Sequence, residues 1–293
     1  QIRIGDDEIT FAGPLTVSGL GLDSKDGSIA TEGVSATGEL QGTLTDRATT
    51  VRLDLTLTGG EVLLGPLYAS LPASAVSLGM TLATTDMDQW RVDALRWHDP
   101  GVLEITGAAR LDFAAGSFLR DADLQFSSAA LAPAHARYFD SLAASLGLSG
   151  LTIEGSAHGK LVLHEADWQA LDIALAKVRV KDGQGRFGAE GLSGTFGVRY
   201  AQSAVESTLS WQSAQVYGLR FGAATLPLRS VAGGVALRAP VAIPLFGGVL
   251  RVAMLDYAPV DDDTHLNLAM ALEHVELAAL GAAFGWPEFT GTI

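Results

Sequence analysis

This sequence of 293 residues is short of several things. It has no cysteine, which excludes disulfides, thiolate nucleophiles and cysteine-based zinc sites while leaving either redox compartment open. Asparagine occurs once, at Asn267, which speaks against a stacked β-helix with Asn ladders at its turns. Aromatic residues make up 7% of the chain and form no paired girdles, which counts against an outer-membrane barrel. No run of 18 apolar residues exists to cross a bilayer as a helix. Basic residues are scarce: 19 Lys and Arg face 33 Asp and Glu, a net charge of −14. That balance excludes a nucleic-acid partner, whose phosphates need a basic surface, and simple electrostatic docking on anionic headgroups. The negative charge keeps an apolar-rich chain in solution.

Hydrophobic residues nevertheless make up 48% of the chain, so they must be spread through it at close intervals. Alternation does this. Leu53, Leu55 and Leu57 interleave with Arg52, Asp54 and Thr56. The same period-two pattern recurs at Leu103, Ile105, Leu111 and Phe113, then at Leu124 and Phe126, Leu209 and Trp211, Leu219 and Phe221, Leu250 and Val252, and Leu268 and Met270. Successive strand side chains point to opposite faces, so each run has one oily and one wet face, as in antiparallel sheet. Gly59-Gly60, Asp99-Pro100-Gly101, Asp182-Gly183, Gly233-Gly234 and Gly247-Gly248 punctuate the runs, with further turns expected at Asp26-Gly27 and Asp261-Asp262-Asp263. The count is about twenty strands, many near ten residues, longer than the usual five or six.

Two segments break the alternation. Residues 131–147 predict a helix, with Pro133 in its first turn and Gly147 at its C-terminal end. Residues 277–285 predict a shorter one, capped by Gly285. Residues 66–71 give a weaker helical signal. Each clear helix follows an alternating strand and precedes a Gly-containing one, a weak repeat with a period near 146 residues. The organisation expected is a β-rich segment over 1–130 and a second over 131–293, one continuous piece of a longer protein, since the chain starts at Gln1 and stops at Ile293 inside an expected strand.

Catalytic signatures are missing. The six histidines form no helical His–Glu–His zinc pattern. The Asp261–263 run lacks the alternating ligands of a calcium loop. There is no Gly-x-Ser-x-Gly elbow and no phosphate-cradling loop, and Gly183-Gln184-Gly185 stands in a hairpin setting rather than a βαβ unit. Asp54, Glu104, Asp112 and Asp123 fall on the wet side of their strands. The expectation is a non-enzymatic protein with no cofactor and no metal. The fold class is all-β: long antiparallel strands forming a curved, twisted open groove with a few short helices. The 17 apolar residues named above, from Leu53 to Met270, are the groove candidates.

Three stretches carry a family resemblance. Pro244-Leu245-Phe246-Gly247-Gly248-Val249-Leu250-Arg251-Val252 looks like an apolar-Gly-Gly strand start. Residues 266–293 run strand, Leu/Ala helix, Thr-Gly-Thr strand, and residues 124–153 look like an earlier copy. In these the chain resembles the AsmA-like envelope proteins of the YdbH and TamB kind. The resemblance implies a periplasmic repeating β-groove in a Gram-negative bacterium, anchored in the inner membrane by another part of the full-length protein. It further implies envelope protein partners and phospholipid acyl chains carried toward the outer membrane. A non-enzymatic structural or adhesive β-scaffold is the alternative, and a carbohydrate-acting enzyme is disfavoured by the few clustered aromatics.

Overall fold

A computed structural model describes all residues except 26, 28, 66, 114–118, 201–202, 261–262, 287–290 and 293. Strands account for 69% of the chain, so the protein is all-β, and the pairings are antiparallel. Two compact units divide it: Gln1–Gly147 with Lys160–Trp168, and Leu148–Gly159 with Gln169–Ile293.

The first unit is a meander. Strands β1 (Ile2–Ile4), β2 (Glu8–Asp23), β3 (Ile29–Thr45) and β4 (Thr49–Thr58) pair in sequence. A small hairpin of β5 (Glu61–Leu64) and β6 (Leu67–Ser70) adds to the N-terminal part of β3. Strand β4 then pairs with β7 (Val76–Thr84), followed by β8 (Gln89–Asp99), β9 (Leu103–Asp112) and β10 (Leu119–Ser128). The helical signal over 66–71 is therefore overturned. Leu63↔Tyr68 and Leu64↔Leu67 are strand pairs, because a four-residue apolar run next to a free partner edge gains more from a ladder than from one isolated turn. Pro66 itself lies outside the described residues.

The open-groove expectation also needs correction here. The eight main strands curl barrel fashion about their oily face instead of lying out as an open trough. Curling turns that face inward and builds two packed clusters. One holds Val34, Ala36, Leu57, Leu71 and Val76; the other holds Val102, Leu103, Ala134 and Tyr138. Trp97 packs against both.

The helix expected over 131–147 forms in three pieces: α1 (Leu131–Ala134), a π-helical turn over His135–Phe139, and α2 (Asp140–Ser145). Gly147 follows at φ +75°, where glycine is favoured. Ala134 and Tyr138 face the sheet and are buried. The fixing point is Asp99, at the end of β8 and 1% exposed. Its carboxylate accepts from Arg137 Nη1 at 2.6 Å and from the Tyr138 hydroxyl at 2.8 Å. Arg137 and Tyr138 are successive residues in the π-helical stretch, where wider turns occur often at functional or strained positions. Burial, and then the hydrogen bond to Asp99, raise the Tyr138 phenol above its ordinary pKa. The helix thus closes over one end of the first unit's inner face.

The second unit contains β11 from Thr152 to Gly159 (the strand runs Thr152–His164), then β12 (Asp167–Lys181) and β13 (Phe187–Arg199). The N-terminal part of β13 pairs with β15 (Ser213–Val216), and residues 193–195 pair with β14 (Val205–Trp211). The sheet forks there. One branch runs β14, β17 (Ala224–Val231), β18 (Gly234–Leu237); the other runs β15, β16 (Leu219–Phe221), β19 (Val241–Leu245). Both branches rejoin on β20 (Gly248–Val260), which pairs with β21 (Asp263–Glu273). Helix α3 (Leu277–Ala283) follows, close to the extent expected, with Gly285 at φ +70° behind it.

Bulges interrupt the alternation at defined places. In β8, Val92 pairs with Ala109 and the next registered residue is Leu95, with Ala94 at φ +52° between them. An extra residue in a left-handed conformation is how a strand bends without losing its partner. Alanine pays for that angle, whereas glycine does not.

Two outcomes are expected. Asp99→Ala should destabilise the first unit by about 2 kcal/mol in denaturant unfolding, the scale for leaving the buried Tyr138 hydroxyl without its acceptor, while the partly exposed Arg137 turns to water. Ala94→Gly should stabilise it by about 1 kcal/mol in the same assay.

Candidate functional site: the apolar sheet face

Cross-strand partners share a face, so the register shows which side chains meet. In the first unit, Leu15, Gly38, Leu55, Leu78, Trp97, Ile105 and Phe126 form one row across seven strands. A second row runs Phe11, Gly42, Val51, Leu82, Val92, Ala109, Ala122. A third contains Trp90, Leu111 and Leu119. Leu53 sits between Leu40 and Met80, Leu57 between Ala36 and Val76, and Leu124 opposite Gly107. Leu103 ends its row opposite Asp99. Phe113 lies just past β9 and is half-exposed. The alternation thus places the first unit's candidates on one surface.

In the second unit Leu209 lies between Gly194 and Leu226, and Trp211 opposite Ala224 with its indole N–H donating to Gly222 O at 3.0 Å. Leu219 faces Val216, while Phe221 faces Ala214 and Leu245. Leu250 lies between Ile243 and Leu272, Val252 between Val241 and Met270, and Leu268 opposite Leu255.

Burial distinguishes this surface from a filled core. Of the 17 candidates only Leu57 and Leu103 are buried; Phe113, Leu268 and Met270 are exposed, and the rest are half-buried. The accessible surface, 16902 Å², exceeds the roughly 14,000 Å² that two compact domains of half this mass would present. Sequence reasoning missed Leu78, Trp90, Val92 and Trp97 on the same face. For Leu78 the signal was unbroken, with Val76, Leu78, Met80 and Leu82 alternating along β7, whereas in β8 one extra residue between Val92 and Leu95 shifts the phase.

The opposite face is wet and its charges are paired. Arg52 meets Asp54 at 2.9 Å, His98 meets Glu104 at 3.1 Å, Lys160 meets Asp123 at 2.9 Å and Gln89 reaches Asp112 at 3.2 Å. Such exposed pairs stabilise little, typically below about 1 kcal/mol each. Partial burial raises the Asp121 carboxyl, but the Glu165 backbone N–H and His164, which donate to it, and the Arg110 charge together hold it below the usual carboxylate range. In the second unit an open dent of about 370 Å³ is lined by Val180, Gly188, Ala189, Ala214 and Phe221 together with Arg179 and Glu190. No group of three or more metal-ligating side chains occurs among the described residues.

At one buried end of the inner face, polar atoms lack partners. Trp97 Nε1, on the row with Leu55, and Ser128 Oγ, at the end of β10, are both buried with no hydrogen-bond partner among the described residues. Unmet buried donors and acceptors are rare in folded proteins and costly, so such atoms ask for an explanation.

No family model, curated protein or solved structure matches this chain. The site must therefore be read from its own geometry.

The β12–β13 turn illustrates how the wet loops are fixed. Asp182 is fully buried beneath Arg186, which donates through Nε at 2.9 Å and Nη2 at 2.7 Å, while the Gln184 and Arg186 backbone N–H groups also donate to its carboxylate. This is the hairpin setting expected of Gly183-Gln184-Gly185. The Arg186 hydrogen bond comes first in lowering the Asp182 pKa, to about 2 from an ordinary 3.8. A depressed carboxylate stabilises the fold above its unfolded pKa. The turn should therefore keep full amide protection above about pH 4 and lose it as pH falls through about 2, read by hydrogen exchange at Arg186.

Proposed function

We propose that the chain binds lipid acyl chains on its inward apolar face and serves as a periplasmic segment in phospholipid transport between the inner and outer membranes. The observation that carries this reading is the continuous, half-buried aliphatic surface. Rows of Leu, Val and Ile span the first unit's sheet, yet most of the candidate side chains keep part of their surface accessible. A core filled by its own side chains would leave them below a tenth exposed.

The energetics fit a chain-like ligand. Each buried methylene contributes about 0.8 kcal/mol, so an acyl chain gains affinity from aliphatic contact alone. Many equivalent weak contacts along a sheet allow displacement without a single deep minimum. The headgroup can remain in water, consistent with the exposed, self-paired charges of the other face.

The AsmA-like resemblance of the sequence points the same way and supplies the envelope setting, the inner-membrane anchor and the protein partners, all of which belong to this proposal. The mode of binding differs from the open trough first expected: a curled sheet encloses the chain more fully, barrel fashion. A non-catalytic scaffold is the competing reading. The packed clusters around Val76 and Tyr138, which leave no room for a ligand at that end, favour it.

The decisive experiment is organic extraction and mass spectrometry of lipids from protein purified without detergent. Phospholipid at stoichiometric level is expected. Leu111→Asp, on the Trp90–Leu119 row, should reduce photo-crosslinking to a diazirine-labelled phospholipid at least tenfold while preserving the β-sheet circular dichroism. Lipid-free wild-type protein, or undiminished cross-linking of a folded Leu111→Asp variant, would replace this reading with the scaffold.

A further inference from the structure

Two exposed cations of the second unit stand at the ends of one row of side chains. Lys181, Gly188, Gln215 and Arg220 are direct cross-strand partners on β12, β13, β15 and β16, so they share a face. Neither Lys181 nor Arg220 forms an ion pair among the described residues. Between them Gly188 has no side chain, and Gln215 leans over it: a β-carbon on Gly188 would lie 3.5 Å from Gln215 Cγ and 3.6 Å from its Nε2. The gap opens into the dent of about 370 Å³, which Lys181, Gln215 and Arg220 line along with Arg179 and Glu190. Arg179 is already held, by Glu154 at 3.3 Å and by Glu190 at 3.5 Å, so the uncompensated charge is that of Lys181 and Arg220. Two other dents have no such excess. The neighbouring one sets Lys177 and Arg179 against Glu154 and Glu190, and one in the first unit sets Arg91 and Arg110 against Asp93, Asp121 and Asp123.

We propose that this dent binds a phosphate group, seated over Gly188 between Lys181 and Arg220. Four neighbouring strands put the Cα atoms of these two residues about 14 Å apart, a span that two long side chains bridge with an anion between them. The donor set suits an oxyanion: Arg offers a planar fork that matches phosphate oxygens, Lys a compact positive charge, and Gln a neutral amide N–H. The dent has room for more than the ion itself and falls within the size range of small-molecule sites, so the ligand is a phosphate ester. A chain of net charge −14 repels such an anion over most of its surface, which leaves this row as the place where it settles. Because the two cations are solvated, the affinity is modest and falls with ionic strength. The phosphate belongs either to a soluble ester or to a lipid headgroup presented at a membrane. The inference rests on this row alone and is independent of acyl-chain binding.

Equilibrium dialysis of the intact chain against radiolabelled glycerol phosphate at low ionic strength should show saturable binding. The double variant Lys181→Ala/Arg220→Ala should weaken it at least tenfold. Gly188→Val, which fills the dent and leaves every charge in place, should weaken it as much while keeping the β-sheet circular dichroism. Arg47→Ala, which removes an exposed cation of the first unit, should leave it unchanged. Flotation with phosphatidylcholine vesicles containing phosphatidic acid distinguishes the sources. Co-flotation that the double variant loses supports the site with a headgroup as its ligand, and binding of glycerol phosphate without co-flotation supports it with a soluble ester. No saturable binding of glycerol phosphate overturns the inference, as does binding that the double variant retains or that Arg47→Ala weakens equally.

Discussion

Everything in this structure depends on the two-residue period of the pleated strand. A strand that alternates apolar and polar residues must present one oily face, and a sheet of such strands in register must fuse these into a surface. The Leu15-to-Phe126 row is the direct product: seven strands contribute one position each, and none of the residues is polar. Such a surface cannot stay fully in water, so the first unit curls toward it.

Curling creates ends, and one of them is finished by a helix. The Asp99 carboxylate receives Arg137 and Tyr138 from the same turn, which fixes both the position and the rotation of the helical segment. Trp97, two residues earlier on β8, meets Tyr138 edge to face at 5.9 Å and touches both packed clusters. The sheet's twist, the closing helix and the inner face are thus coupled through a few residues at the end of one strand. The middle of the face has no such packing, and its side chains stay half-buried.

The legibility of the sequence followed the same line. Where alternation ran unbroken, as in β4, β9, the part of β10 from Asp121 to Ser127, and β21, the face was readable, and Leu53, Ile105, Leu124 and Met270 fall where period two puts them. Where a bulge added a residue, the phase slipped, and Trp90 and Val92 were separated from Leu95 and Trp97. Residues 67–70 were misread because a short apolar run contains too few positions to distinguish periods of 2 and 3.6. The helices were legible from Pro133 and the terminal glycines, but the π-helical turn was not, since it answers to Asp99 36 residues before its start.

By itself, the sequence determined that this chain is antiparallel β with one apolar and one polar face, that two helical segments interrupt it, and that it lacks the residue sets of familiar active sites. These follow from local periodicity and composition. The tertiary structure decided what the apolar face of the first unit became: curled rather than laid open, packed at the helix-closed end and accessible along its middle. Those outcomes depend on bulge positions, cross-strand register and contacts between residues distant in the chain, which no local pattern contains.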